Sequence, residues 1–227
     1  MTSSDEIPVH SEAARQRSKA TWDAVATGWY AQREEIWESS RPVSEWMIRR
    51  LDPQPGDTVL ELAAGLGDTG LRAARLVGGS GRVIITDFAL EMIGAARRRA
   101  EEMGVENAEV RTLDAERMDL ETDSVDGVLC RWAYMLMTDP AAAFAETRRV
   151  LRPGGRLAFS VWAARERNPA PSLAGSILVE LGHIPPPDPE APGPYSMADT
   201  SRIQELVVAA GFAEPEIEEV SFHWRFA

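Results

Sequence analysis

Short apolar segments alternate with helical segments along the middle of the chain. The apolar segments lie at 58–62, 82–87, 108–113, 125–132 and 156–162. The segments with apolar positions at helical spacing lie at 69–77, 89–103 and 140–151. This alternation predicts βαβ units that build a parallel sheet. The near-continuous apolar letters VIIT and GVLC are typical of parallel strands buried on both faces.

The regions on either side of this alternation have different patterns. Residues 1–10 form a polar tail, and the following pattern is helical to about residue 50, with an interruption at Arg41-Pro42. Residues 166–200 are so rich in proline that we expect neither a regular helix nor a central strand there. A helix over 200–210 and a strand over 216–224 then resume the α/β pattern.

These patterns predict a Rossmann-like, doubly wound α/β fold with a mostly parallel sheet. The expected parts are an N-terminal tail and helical cap over 1–50, a core over 51–165, a proline-rich lid over 166–200 inserted after the fifth strand, and a C-terminal helix and strand over 201–227. The lid segment leaves the sheet at its carboxyl edge, where open α/β sheets bind ligands. We therefore expect the lid and the Trp-rich N-terminal helices to cover the site.

Composition narrows the class of protein. The 24 basic and 36 acidic residues give a net charge of −12, which disfavours a nucleic-acid partner. A single cysteine excludes an internal disulfide, and three scattered histidines predict no metal site. No apolar segment is long enough to span a membrane, and the polar N-terminus lacks a secretory signal. We therefore expect a cytoplasmic protein.

A glycine pattern follows the first predicted strand. Gly65, Gly67 and Gly70 fit GxGxxG between a strand and a helix, where glycines allow a ligand to approach the backbone closely. The plainer alternative is a tight β–α turn without a ligand. Glu61 ends the strand ahead of the glycines, and a carboxylate there suits a ligand that carries an ammonium group.

Two further acids lie at neighbouring strand ends. Asp87, at the end of the second strand, can accept both hydroxyls of a ribose, although a helix N-cap is compatible with the same position. Asp114 follows the third strand, where it could meet an adenine amino group or be an ordinary loop acid. Three carboxylates at successive strand ends favour a cofactor site in the 51–165 core.

At this point the sequence resembles a known family. The motifs are VLELAAGLGDTG, VIITD, LDAERMDL, SVDGVLCRWAYMLM and RRVLRPGGRLAFSVW. From about Trp22 to Phe212 the chain resembles the class I S-adenosylmethionine-dependent methyltransferases, in particular the small-molecule branch related to ubiquinone/menaquinone biosynthesis. It departs from the family at Ala63, where glycine is usual, and at Glu61, where aspartate is commoner. The resemblance implies S-adenosylmethionine as cofactor, S-adenosylhomocysteine as product and a small-molecule methyl acceptor.

The resemblance also implies roles for individual residues. Those expected to bind the cofactor are Trp29, Glu61, Gly65, Gly67, Asp87, Phe88, Met92, Asp114, Ala115 and Arg131. Trp132, Tyr134 and Trp162 follow the fourth and fifth strands and could form an apolar substrate wall, whereas Met135 and Met137 are expected in the core. No group of residues in the sequence identifies a catalytic base. His183 and His10 are weak candidates whose ordinary interpretation is an exposed side chain.

Some alternatives stay open on the sequence alone. A nicotinamide-dependent Rossmann oxidoreductase and a non-catalytic S-adenosylmethionine-binding protein are the alternatives to a methyltransferase that acts by in-line displacement. The family's sheet ends in a sixth and a seventh strand, but only residues 216–224 can supply one. Either the last strand is absent, or the sequence is truncated, or a partner chain covers this edge, as in a homodimer.

Overall fold

Five parallel strands form one sheet in the computed structural model, which describes residues 9–184, 186 and 191–224. The strands are β1 (Thr58–Glu61), β2 (Arg82–Asp87), β3 (Ala108–Thr112), β4 (Val125–Arg131) and β5 (Leu151–Ser160). The helices are α1 (Val9–Ala31), α2 (Arg33–Leu51), α3 (Asp68–Val77), α4 (Leu90–Glu102), α5 (Pro140–Val150), α6 (Pro169–Glu180) and α7 (Thr200–Ala209). No helix among the described residues is long and apolar enough to cross a bilayer.

The order of the strands shows at which edge of the sheet a ligand would bind. Across the sheet the order is β3-β2-β1-β4-β5, and every neighbouring pair is parallel. The chain therefore winds outward from β1 to β3, then crosses back and winds outward again from β4 to β5. Ligands bind where such a sheet reverses direction, at the carboxyl ends of β1 and β4. The predicted Rossmann-like α/β fold is confirmed.

Helices cover both faces of the sheet. α2, α3 and α4 pack on one face, and α5 and α7 pack on the other. The apolar residues of β1, β2 and β4 are almost completely buried, which explains their near-continuous apolar sequence. The cores on the two faces hold the strands rigidly, so the loops at their carboxyl ends are fixed relative to one another.

The break between the N-terminal helices lies at Gln32, so the predicted interruption at Arg41-Pro42 is wrong. α2 continues through Pro42, although a proline removes one helical hydrogen bond. The helix buries Trp37, Val43 and Met47 against the core. Tertiary packing of this face outweighs the local cost of the proline.

The expectation that residues 166–200 contain no regular helix is also wrong. α6 spans Pro169–Glu180, and Pro169 and Pro171 both lie in its first turn. Backbone N–H groups in a first turn have no intrahelical partner, so proline is tolerated there. Most prolines of the segment's second half fall within 185–190, of which only residue 186 is described.

The predicted strand at 216–224 is not formed. These residues are irregular and follow α2 instead: Trp46 Nε1 donates to Glu218, Arg50 pairs with Glu218, and Phe222 stacks on Trp132 at 5.3 Å between centroids. Within the described residues, β5 has a strand partner on one side only, β4. β5 also begins at Leu151, earlier than predicted, because a bulge lets the Pro-Gly-Gly turn stay within the strand.

Tyr134 is a core residue, which contradicts its predicted place in a substrate wall. Its ring stacks on Phe144 at 4.0 Å, and its hydroxyl lies 2.6 Å from Thr147 Oγ1. The short 3₁₀ turn Tyr134–Leu136 directs this side chain into the sheet–α5 interface. Met135 belongs to the core as expected, at 3% exposure, and also lines the cavity described below. Met137 is only half-buried against the core and lines the same cavity.

Candidate functional site

A cavity of about 780 Å³ lies at the carboxyl ends of the five strands, between α1 and α6. The loop after β1 contributes Ala63–Gly65, and the ends of the other strands contribute Asp87, Asp114, Arg131 and Trp162. The cavity thus sits at the reversal of strand order, where the topology predicts a ligand.

The glycine loop takes backbone conformations that glycine favours. Gly65 and Gly67 have φ angles of +57° and +77°. Gly70 has a different reason: a Cβ there would lie 2.4 Å from Glu61 Oε2, so any larger residue would displace that carboxyl group. Ala63 has φ +46°, a left-handed conformation that costs an L-residue about 1–2 kcal/mol. The departure from glycine at Ala63 therefore introduces backbone strain at the cavity wall.

Glu61 lies beneath the cavity floor. Its side chain is buried, and Oε2 accepts a hydrogen bond of 2.9 Å from the Gly70 N–H. Burial raises the pKa of Glu61 to about 8, because the charged form is desolvated; nearby Arg131 and the Gly70 N–H only partly offset this. The residue does not itself line the cavity.

Arg131 links this floor to the cavity. Burial lowers its pKa, while the Glu61 carboxyl group acts in the opposite direction. Nη1 is buried and has no hydrogen-bond partner among the described residues, and the guanidinium lies 4.9 Å from the Trp132 ring centroid. An unpaired buried guanidinium donor is costly, so the site fits a ligand with a carboxylate at this place.

Asp87 is held by the backbone on both sides. Oδ2 accepts from the Gly65 N–H and Oδ1 from the Ala89 N–H, each at 2.9 Å. Burial raises the pKa of this carboxyl group. The N-cap of α4 is Ala89 and no side chain caps the helix, so the alternative interpretation of Asp87 as an N-cap is wrong. Because each carboxylate oxygen can accept a second hydrogen bond, Asp87 can hold both backbone N–H groups and still bind ligand hydroxyls.

Asp114 and Ala115 line the cavity, but Asp114 has a partner that the sequence did not reveal. Arg15 of α1 lies with Nε 3.4 Å from Asp114 Oδ2 and pairs directly with Glu116. Glu116 Oε1 also accepts from the Thr138 N–H at 2.8 Å. These contacts fasten the first half of α1 to the end of β3.

The aromatic face of α1 closes one side of the cavity. Trp22 and Trp29 contact each other edge to face at 5.5 Å and line the cavity together with Phe88. Met92 lies behind Phe88, is 1% exposed and does not line the cavity. Arg15, Trp22 and Trp29 are spaced by seven residues, so their helical periodicity was a signal that could have identified Arg15.

Aromatic side chains form the other side. Trp132 has φ +57° and contacts Trp162 at 5.8 Å and Trp224 at 6.2 Å between centroids. Tyr195 contacts Trp162 at 6.4 Å. Trp132 and Trp162, both predicted for a substrate wall, line the cavity. Trp224 and Tyr195 also line it but were missed, because Trp224 was assigned to a strand and Tyr195 lies in a proline-rich segment without a regular pattern.

The two weak catalytic candidates are not brought into the site. His183 is exposed and is not part of the cavity lining. The side chain of His10 lies outside the described residues. The described part of the chain contains no cluster of side chains suited to hold a metal ion.

The raised pKa of Glu61 predicts a pH dependence of stability. The folded protein retains a proton that the unfolded chain loses above its ordinary pKa of 4.5. The stability that this proton contributes is full below that value and is lost as pH rises toward about 8. Glu61→Gln keeps an acceptor for Gly70 but does not titrate. The free energy of unfolding of the ligand-free wild type should therefore decrease more between about pH 5 and about pH 8 than that of Glu61→Gln.

Guanidinium denaturation followed by tryptophan fluorescence measures this difference. Glu106→Gln, which changes an exposed acid, is the matched control and should follow the wild type. Parallel pH curves for the wild type and Glu61→Gln would contradict the assignment.

The sequence of this chain matches a protein family and several known proteins. Residues 59–155 match the family described as Methyltransferase domain. An uncharacterized 37.1 kDa protein in transposon TN4556 of Streptomyces fradiae is 40% identical over 202 residues, which are 84% of this chain and 53% of that protein. The ubiquinone/menaquinone biosynthesis C-methyltransferase UbiE of Acidiphilium cryptum is 40% identical over 110 residues, 48% of this chain and 43% of that enzyme. The chain spans about half the length of these relatives.

A solved structure shares the fold. The crystal structure of a SAM-dependent methyltransferase from Aquifex aeolicus has a TM-score of 0.57 and 20% sequence identity, over 74% of this chain and 78% of that one. The family match, the relatives and the fold agree. Residues 59–155 are therefore identified as a methyltransferase domain, and the chain resembles the class I S-adenosylmethionine-dependent methyltransferases, in particular the ubiquinone/menaquinone biosynthesis enzymes.

Proposed function

We propose that this chain transfers a methyl group from S-adenosylmethionine to a small-molecule acceptor by direct in-line displacement. The observation that carries the proposal is the buried Arg131 donor, which has no partner among the described residues, near Glu61 and in the same cavity lining as Gly65. A cofactor with an amino acid end and a ribose matches these groups and Asp87 in one continuous cavity. The UbiE relative and the arsenite methyltransferase of Halobacterium salinarum, 39% identical over 106 residues, act on small acceptors by their names.

The residues of the chain would share the binding of the cofactor. Arg131 would pair with its carboxylate, and Glu61 would favour its ammonium group from below the loop. Asp87 would accept hydrogen bonds from the ribose hydroxyls, with Gly65 and Phe88 beside it. Asp114 and Ala115 would face the adenine edge, and Trp29 would cover the cofactor from α1.

Methyl transfer from this cofactor requires few chemical groups from the protein. The bound cofactor supplies an activated methyl group and its own leaving group. The chain must hold the acceptor in line with that methyl group and exclude water, and such positioning is worth about 7–11 kcal/mol of the barrier. The aromatic surfaces of Trp22, Trp132 and Trp162 are suited to both tasks.

We also propose that the chain is organised as a cap over 1–50, a cofactor-binding core over 51–165, a lid over 166–200 and a C-terminal part over 201–227. The cap reaches the cavity through α1, and the lid reaches it through α6 and Tyr195. The contact of Arg15 with Glu116 holds the cap closed over the cavity. The lid has no comparable ion pair to the core strands among the described residues.

Methyl transfer itself is the direct test. The protein is incubated with labelled S-adenosylmethionine and a metabolite extract, and we expect label to enter a small molecule. Calorimetry should also detect binding of S-adenosylhomocysteine and weaker or no binding of NAD(P). Tighter binding of a dinucleotide would favour an oxidoreductase, and cofactor binding without any transfer would favour a non-catalytic binding protein.

Asp87→Ala should weaken the affinity for S-adenosylhomocysteine at least about tenfold, because charge-assisted hydrogen bonds to the ribose are lost. Calorimetry gives the dissociation constant, and circular dichroism checks that the variant folds. Asp119→Ala, at a fully exposed acid, is the matched control and should bind like the wild type. An unchanged constant in a folded Asp87→Ala protein would mean that Asp87 only holds the Gly65 and Ala89 N–H groups.

The lid and cap should respond to ligands together. Amide hydrogen exchange in α1 and over 169–184 should slow when S-adenosylhomocysteine binds, because closure removes these segments from solvent. α7, which packs on α5 away from the cavity, serves as the internal control and should exchange at one rate. Equal rates with and without ligand in both segments would leave the strand ends alone to hold the substrate.

A further inference from the structure

We define the lid half of the cavity as the wall formed by Trp132, Met135, Trp224 and the lining residues within 162–184 and 191–196. It is chemically unlike the half beside the glycine loop. The carboxylates that line the cavity, Asp87, Asp114 and Glu116, all belong to the ends of β2 and β3. Within the described residues, the lid half contributes one charged side chain, Arg165. The lid half is therefore apolar with a single positive charge.

Flat aromatic surfaces dominate this wall. Trp162 lies at 61° to Trp132, and Tyr195 lies at 77° to Trp162, so the rings stand at steep angles to one another. Met135 and Val179 fill the wall between them. Such a slot accommodates a planar ring, which can contact one aromatic face and several edges at once.

Arg165 differs from the other cations that line the cavity. Arg15 pairs with Glu116, and Arg131 lies near Glu61. Arg165 has no carboxylate within 4.0 Å among the described residues. Its guanidinium lies 5.1 Å from the Tyr195 ring centroid, and its polar contact is a long one of 3.5 Å to Ser176 Oγ. A half-buried guanidinium with so few acceptors retains donors for an anionic ligand.

The hydrogen bond between the Ser172 and Tyr195 hydroxyls has a defined direction. Ser172 Oγ donates to the Arg165 carbonyl oxygen at 2.9 Å, and this uses its single proton. The contact of 2.8 Å between Ser172 Oγ and Tyr195 Oη must then use the Tyr195 proton. Tyr195 Oη is left as an acceptor on the cavity wall, next to the guanidinium. The lid half thus offers a charged donor and a neutral acceptor side by side.

We propose that the lid half binds a planar aromatic acceptor that carries a carboxylate, with Arg165 as the residue that selects for the charge and Tyr195 as the acceptor for a ring hydroxyl or amine. This inference rests on the proposed methyltransferase function and names the substrate class of the same cavity. Arg165 is a specificity-determining residue in this scheme, and the cofactor is held by the other half.

Matched ligands test the proposal with the full chain saturated with S-adenosylhomocysteine. The probes are aromatic carboxylates with one, two and three fused rings, each compared with its uncharged carboxamide by calorimetry. At least one carboxylate should bind about tenfold more tightly than its amide, a difference of about 1.4 kcal/mol. Arg165→Gln should abolish this preference, and Arg165→Lys should retain part of it.

Arg167→Gln is the control variant. Arg167 belongs to the same 3₁₀ turn but is exposed and pairs with Glu219, so this change should leave the preference for carboxylates intact. The affinity of Arg165→Gln for S-adenosylhomocysteine alone should equal that of the wild type. A tenfold loss there would assign Arg165 to the cofactor and overturn the proposal.

Other results would also overturn the proposed substrate class or the proposed function. Equal binding of carboxylate and amide by the wild type, or failure of all six probes to bind, would overturn the proposed substrate class. If S-adenosylhomocysteine binds and label from S-adenosylmethionine still enters another small molecule, the proposed function stands while the substrate class fails. If S-adenosylhomocysteine does not bind, the proposed function fails first.

Discussion

The burial of one carboxyl group, Glu61, constrains the whole site. Its position at the end of the central strand requires a glycine at position 70, because a Cβ would meet Oε2. It also favours a cation nearby, which Arg131 supplies from the adjacent strand. The cost of desolvating Glu61 is thus balanced only in part within the ligand-free protein. The polar end of the cavity, which Arg131 lines, is thus defined by the packing of β1 and β4 before any ligand binds.

The two covers of the cavity are attached in different ways. α1 is fastened at one end by the Arg15 contacts and near its other end by Tyr30, whose hydroxyl lies 2.5 Å from Glu102 of α4. α6 instead exposes a row of apolar side chains and meets the rest of the cavity wall through small contacts such as Ser172 to Tyr195. Among the described residues, ion pairs thus fasten α1 to the core, and none does so for α6.

The backbone of Trp132, in the aromatic wall of the cavity, is held in an uncommon conformation. Trp132 has a left-handed backbone conformation, which places its indole between Arg131 and the aromatic wall. Phe222 stacks on the other side of this indole, and Trp224 follows it along the wall. The irregular C-terminal segment therefore contributes to the cavity rather than to the sheet. Backbone strain of this kind persists only where the surrounding packing requires it, and such positions are concentrated at functional sites.

The sequence by itself determined the sheet and the polar half of the site. Hydrophobic periodicity located β1 to β4, and the glycines, Glu61, Asp87 and Asp114 lie together because parallel strands end at one edge. Only the tertiary structure decided the rest. Pro42 stays within a helix because its neighbours are buried, Tyr134 points into the core, and residues 216–224 follow α2 instead of pairing with β5. Arg15, Arg165 and Tyr195 reach the cavity across long stretches of chain. Local patterns encode hydrogen bonding and burial within one element, but contacts between distant segments depend on packing that no local pattern records.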